Sequence, residues 1–101
     1  MSGKKRKLDP IHPGEILRED FMKPLGISIN RLAREILVPP GRISQIVNGR
    51  RAISADSALR LARFFGVTPQ VWLNLQNEFD LRVAKAEKGS EVETRIRPLA
   101  G

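Results

Sequence analysis

Cysteine is absent from the 101 residues, and histidine occurs once, at His12. Disulfides and thiolate metal sites are thereby excluded, and one imidazole among scattered carboxylates makes a poor metal site. Neither a metal nor a cofactor is expected. Ser28, Ser44, Ser54 and Ser57 have no histidine nearby in sequence to activate a hydroxyl, so the chain does not read as an enzyme. A glycine-rich phosphate loop is also missing, since Gly41 and Gly49 fit a helix start and a helix end. Apolar runs fall far short of the roughly 20 residues a membrane helix needs. The opening MSGKKRKLDP is basic but lacks the apolar stretch of a secretory signal. The expectation is a cytoplasmic protein with no membrane contact and no small-molecule substrate.

What the chain does have is positive charge. The net charge is +7 and the pI about 10.8, a balance that suits a polyanionic partner. Residues 1–60 hold 12 Lys+Arg against 6 Asp+Glu, whereas residues 61–101 hold 6 against 5. The excess therefore lies in the first part and asks for a local cause. The run Lys4–Lys7 is either a solvated tail or an arm that follows the DNA backbone or minor groove.

The hydrophobic pattern is helical almost throughout. Pro13 suits the first position of a helix and Glu15 its first turn, Leu17 and Phe21 share a face, and Pro24 is expected to stop it before Gly26. Ser28 caps a second helix whose Ile29, Leu32, Ala33 and Ile36 follow the amphipathic spacing. Pro39-Pro40 can only begin a helix, Ile43, Ile46 and Val47 give it a buried stripe, and Asn48-Gly49 ends it. Ser54 caps a fourth helix that ends at Gly66. A fifth runs from Pro69 to about Lys88 before Gly89. After Gly89, Val92 and Ile96 alternate with charged residues, a period-2 pattern that predicts either a pairing strand or a mobile tail over 89–101.

Helices two and three are short, close and joined by about three residues around Leu37-Val38. Small Ala33 permits a close crossing, with Val38, Ile43 and Ile46 as the apolar lock. This is the helix-turn-helix arrangement, in which the second helix enters the major groove. Periodicity alone leaves a plain helical hairpin equally open. The polar residues favour DNA: from Ile27 to Ile53 there are five arginines and one acid, Glu35. With its stripe buried, helix three shows Arg42, Ser44, Gln45 and Asn48. Arg pairs bidentately with guanine and Gln with adenine, which makes Arg42 and Gln45 the candidate base readers. Arg31, Arg34, Arg50 and Arg51 straddle the groove toward phosphates, joined by Asn30, Asn48 and the Ser28 backbone N–H at a helix start.

The stretch SINRLAREILVPPGRISQIVNGRR resembles the phage-repressor type of helix-turn-helix, as in the lambda and Cro group. HPGEILREDFMKPLG before it and AISADSALRLARFFGVTPQVWLNLQNEFDL after it are more specific, and with them residues 12–84 resemble the HigA (VapI) family of antitoxins. The resemblance implies an all-α, five-helix, lambda-repressor-like DNA-binding domain that acts as a homodimer. It implies repression of its own operon at a palindromic operator in double-stranded DNA, in a bacterial, nucleoid-associated setting. It also implies a complex with a HigB-like toxin, an RNA-cleaving protein of the RelE type. A stand-alone repressor without a toxin is the alternative. Two positions depart from the general repressor pattern. Leu37 stands where the turn usually has glycine, so either the turn is built differently or packing of Leu37 compensates a left-handed dihedral. Pro40-Gly41 stands where a base-reading side chain is common, which leaves these two to approach the groove closely or touch a thymine methyl. Readout then leans on Arg42, Ser44 and Gln45.

The predicted organisation is a basic arm over 1–11, the DNA-binding domain over 12–88 with its helix-turn-helix at about 28–48, and the tail or strand over 89–101. On the fifth helix Trp72, Leu75, Phe79, Val83 and Ala86 form one broad stripe, while Leu73 and Leu81 point elsewhere. Trp72 and Phe79 are read as core. A domain this small is only modestly stable alone, so Leu73, Leu81, Val92 and Ile96 are assigned to a dimer interface.

Overall fold

The computed structural model describes residues 9–100, so the run Lys4–Lys7 and most of the predicted arm lie outside it. Among the described residues there are five helices and no strand. Helix α1 covers residues 13–25, α2 Ile29–Ile36, α3 Pro40–Val47, α4 Ala55–Phe65 and α5 Pro69–Arg95. Three of the starts follow from side-chain caps: His12 Nδ1 accepts the Gly14 N–H at 2.9 Å, Ser28 Oγ that of Arg31 at 3.1 Å, and Ser54 Oγ that of Ser57 at 3.2 Å. Pro40 and Pro69 open α3 and α5 from the first turn, where a missing N–H is harmless.

Helix α1 corrects one expectation. Pro24 does not stop it; the helix continues to Leu25, and Gly26 ends it with φ 63°. An α-helical proline clashes with the carbonyl four residues back. Here Leu17–Met22 form a π-turn just ahead of Pro24, widening the helix where that carbonyl lies.

A second correction concerns the C-terminal segment. The expected end near Lys88 and the strand or tail over 89–101 are replaced by helix up to Arg95. One glycine costs a helix about 1 kcal/mol, and Gly89 is flanked by strong helix formers from Ala84 to Lys88 and at Glu91 and Glu93. Thr94 Oγ1 donates back to the Ser90 carbonyl at 2.7 Å, the bond a threonine makes within a helical turn. Ile96 is extended, and Pro98 bars helix at the residue before it.

The core lies where α1, α4 and the first half of α5 enclose the α2–α3 pair. Leu17, Leu32, Ala33, Ile43, Ile46, Leu61 and Trp72 are fully buried. The Phe21 ring tilts over Trp72 at 4.8 Å and meets Phe65 edge-on at 5.1 Å. Phe79, read as core, is half-buried and meets the His12 ring edge-on at 4.9 Å. Gly14 is required by a close approach: a Cβ there would fall onto the Ile46 carbonyl oxygen, so α1 rests on the backbone of α3. No helix among the described residues is long and apolar enough to cross a membrane.

Candidate nucleic-acid interface

The apolar lock between α2 and α3 is as expected: Ala33, Ile43 and Ile46 are fully buried and Val38 nearly so. Leu37 is left-handed at φ 63°, so the turn keeps the geometry in which glycine is usual. Packing of its side chain does not compensate, because Leu37 is 80% exposed. That expectation is corrected by hydrogen bonds. The Val38 N–H reaches the Ala33 carbonyl at 3.0 Å and the Leu37 N–H that of Arg34 at 3.3 Å. From α4, Arg60 Nη1 donates to the Ile36 carbonyl at 2.9 Å and to that of Leu37 at 3.3 Å. A leucine in this conformation costs about 1–2 kcal/mol. Net hydrogen bonds of about 0.5–1.5 kcal/mol each are enough to offset it.

With its inner stripe buried, α3 turns Pro40, Gly41 and Gln45 outward, and Arg42 and Ser44 are half-buried beside them. Ser28, Ile29 and Asn30 from the start of α2 and Pro40, Gly41 and Ser44 from the start of α3 line one shallow hollow. Two helix starts, whose first N–H groups have no intrahelical acceptor, thus border a single depression. Arg31 and Arg34 lie exposed on α2, and Arg50 and Arg51 lie exposed just after α3. The structure therefore brings Ser28, Asn30, Pro40, Gly41 and Ser44 together, with the arginines flanking them along the chain.

Several of these groups already have partners. The Gln45 Oε1 accepts from Arg51 Nη1 at 3.0 Å. Asn48 Nδ2 donates to the Ser44 carbonyl at 2.9 Å, so Asn48 closes the end of α3 as well as lying exposed. Arg42 Nη1 meets Asp56 Oδ2 in the first turn of α4 at 2.6 Å. The same oxygen takes Arg60 Nε at 3.0 Å. The Arg42 guanidinium, and after it that of Arg60, holds the Asp56 carboxyl below the usual aspartate range. A lowered folded value means that this contribution to stability is present above about pH 4 and lost as pH falls through the lowered value.

Three residues that position the site escaped the sequence reading. Asp56 and Arg60 stand four apart on α4, a spacing that suggests only a local pair, and their contacts to Arg42, Ile36 and Leu37 span 14, 24 and 23 residues. Gln76, inside the motif WLNLQ, is buried on α5. Its Oε1 accepts the Ile53 N–H at 2.8 Å, and its Nε2 donates to Asp80 Oδ1 at 2.9 Å, which ties the segment after α3 to α5.

Of the residues assigned to a dimer interface, Leu73 is half-buried against the core of its own chain. Leu81, Val92 and Ile96 are 52%, 48% and 64% exposed. Leu81 and Val92, with Ala84, Lys85 and Lys88, border a shallow groove along the far half of α5, and Ile96 lies just past its end. A second exposed apolar patch, with no counterpart in the sequence reading, joins Leu37 to Leu59.

Comparison with known proteins fits this geometry. A family model described as helix-turn-helix matches residues 19–72. Virulence-associated protein I of Dichelobacter nodosus is 50% identical over 86 residues, which is 85% of this chain and 80% of that protein. A solved structure of Pseudomonas aeruginosa antitoxin HigA with the higBA promoter is 47% identical and superposes with a TM-score of 0.87 over 89% of this chain and 98% of that one. An addiction module antidote protein of the HigA family from Coxiella burnetii, also 47% identical, gives 0.85 over the same shares.

Proposed function

Because the chain belongs to the helix-turn-helix family, among its HigA-type antidotes, which are DNA-binding regulators and not enzymes, we propose that it is an antitoxin that represses its own operon by binding operator DNA as a homodimer. The observation that carries the reading is the shared hollow between the starts of α2 and α3, beside the unburied edge of α3. That edge enters the major groove. Gln45 pairs with adenine, Arg42 with guanine and Ser44 with either, while Pro40 and Gly41 lie against the groove floor or a thymine methyl. Arg31, Arg34, Arg50, Arg51, Ser28, Asn30 and Asn48 meet phosphates and fix the register without reading sequence. The relative solved with the higBA promoter supports an operator upstream of the chain's own gene.

Two chains place two reading helices about 34 Å apart on a palindromic site. Exposed Leu81, Val92 and Ile96 supply the apolar surface for pairing, with Leu73 behind them at the edge of the core. A RelE-like, mRNA-cleaving HigB toxin is the second protein partner, supported by the family to which the chain belongs, and the complex acts in the bacterial cytoplasm at the nucleoid. The test is a gel-shift titration at two salt concentrations with an inverted repeat from upstream of the gene. Preferential binding that weakens steeply with salt is expected, and no preference over random duplex overturns DNA reading. Co-purification from the native host followed by mass spectrometry tests the toxin, and light scattering at micromolar concentration tests the dimer.

A further inference from the structure

Arg42 is the one arginine or lysine within α3, and it does not project freely. A loose guanidinium at this place would meet phosphates on any duplex, adding affinity without discrimination. Its guanidinium is instead held by Asp56 at 2.6 Å, leaving the Arg42 side chain 25% exposed. Asp56, its side chain 53% exposed, is tied into the fold through two arginines. It sits in the first turn of α4, where the helix dipole favours an anion. Its Oδ2 is shared with Arg60, which in turn holds the carbonyls of Ile36 and Leu37 in the turn between α2 and α3. The carboxylate is thus part of the frame that sets the angle of the reading helix.

We propose that Asp56 is a positioning residue that sets the selectivity of α3 by withholding Arg42 from DNA that offers only phosphate. This rests on the DNA-reading proposal above and deepens it. A single phosphate oxygen merely matches what the carboxylate already gives. A guanine edge presents N7 and O6 together, two acceptors aligned for the guanidinium fork. Only the second outbids the ion pair, so Arg42 is released on the right sequence and retained on the wrong one.

The experiment compares binding to the operator repeat and to random duplex for the wild type, Asp56→Asn, Arg42→Ala and the double variant. Asp56→Asn is expected to tighten random-duplex binding roughly two- to fivefold, the range set by an exposed ion pair. Operator binding should change less, so the selectivity ratio falls. The salt slope on random duplex should steepen by about one phosphate. In the Arg42→Ala background the substitution should have none of these effects, because the two side chains act as one unit. An equal gain on both duplexes, or a gain that persists without Arg42, overturns the proposal, since either outcome makes Asp56 a general repulsive charge. Should Asp56→Asn unfold by circular dichroism, the Arg42 side-chain N–H resonance in wild-type protein decides. It should stay in its ion-paired position on random duplex and move on the operator, and an unmoved resonance on the operator overturns the proposal. Failure of DNA reading itself has a different sign, namely no operator preference in the wild type.

Discussion

The eight residues of α3 and the stretch of α5 beyond Asp80 are both helical, but for different reasons. α3 is braced from several elements: its Ile43 and Ile46 are sealed in the core, Gly14 of α1 rests on its Ile46 carbonyl, and Arg42 is gripped by Asp56 of α4. Beyond Asp80, α5 has no buried residue, and several of its charged side chains pair within the helix, as Arg82 does with Glu78 at 2.7 Å. An isolated helix of eight residues is unstable in water, so α3 exists because of its neighbours. The far half of α5 persists on local propensity and on its continuity with the anchored half. Tertiary contacts therefore hold rigid the helix proposed to read DNA. The helix half left without neighbours keeps Leu81 and Val92 exposed.

Substitutions can separate these two modes. The largest effect is expected at Gly14→Ala, which forces a methyl against the Ile46 carbonyl. Overpacking of this kind costs about 1–3 kcal/mol. A lowered urea midpoint together with weakened operator binding is the expected outcome, and an unchanged midpoint would mean that α3 is not braced from α1. Next comes Leu37→Gly, which removes the left-handed leucine while leaving the Arg60 hydrogen bonds in place. It should stabilise by about 1 kcal/mol, read as a rise of several degrees in Tm. Destabilisation would instead assign Leu37 a packing role that its exposure does not suggest. Smallest is Gly89→Ala in the unbraced half of α5. Local helicity by circular dichroism should increase, because alanine favours helix by about 1 kcal/mol, yet the global unfolding midpoint should stay within error. A shifted midpoint would show that this half is coupled to the core after all.

The same contrast explains what could be read in the sequence. The starts of α2 and α4 were legible because Ser28 and Ser54 cap them locally, and the inner stripe of α3 because Ile43, Ile46 and Val47 repeat at helical spacing. The length of α5 was not. Val92 and Ile96 stand four apart, which suits a helix, while their charged neighbours suit a strand just as well, and Gly89 tipped the reading toward a break. Pro24 misled in the same way, since a π-turn upstream removes the clash that normally makes proline a stop. In the site, the outward residues of α3 followed directly from knowing which ones face in. The partners of Arg42, Gln45 and Leu37 did not, because Asp56, Arg51 and Arg60 reach them only once the chain has folded.

Gly14 has one last implication. Where α1 rests on α3, the spacer between them is bare main chain, the thinnest and least compressible separator a polypeptide possesses. How far the outer edge of α3 stands proud of the molecule is consequently cast in covalent geometry, and rotamer changes elsewhere in the protein leave that protrusion as it is.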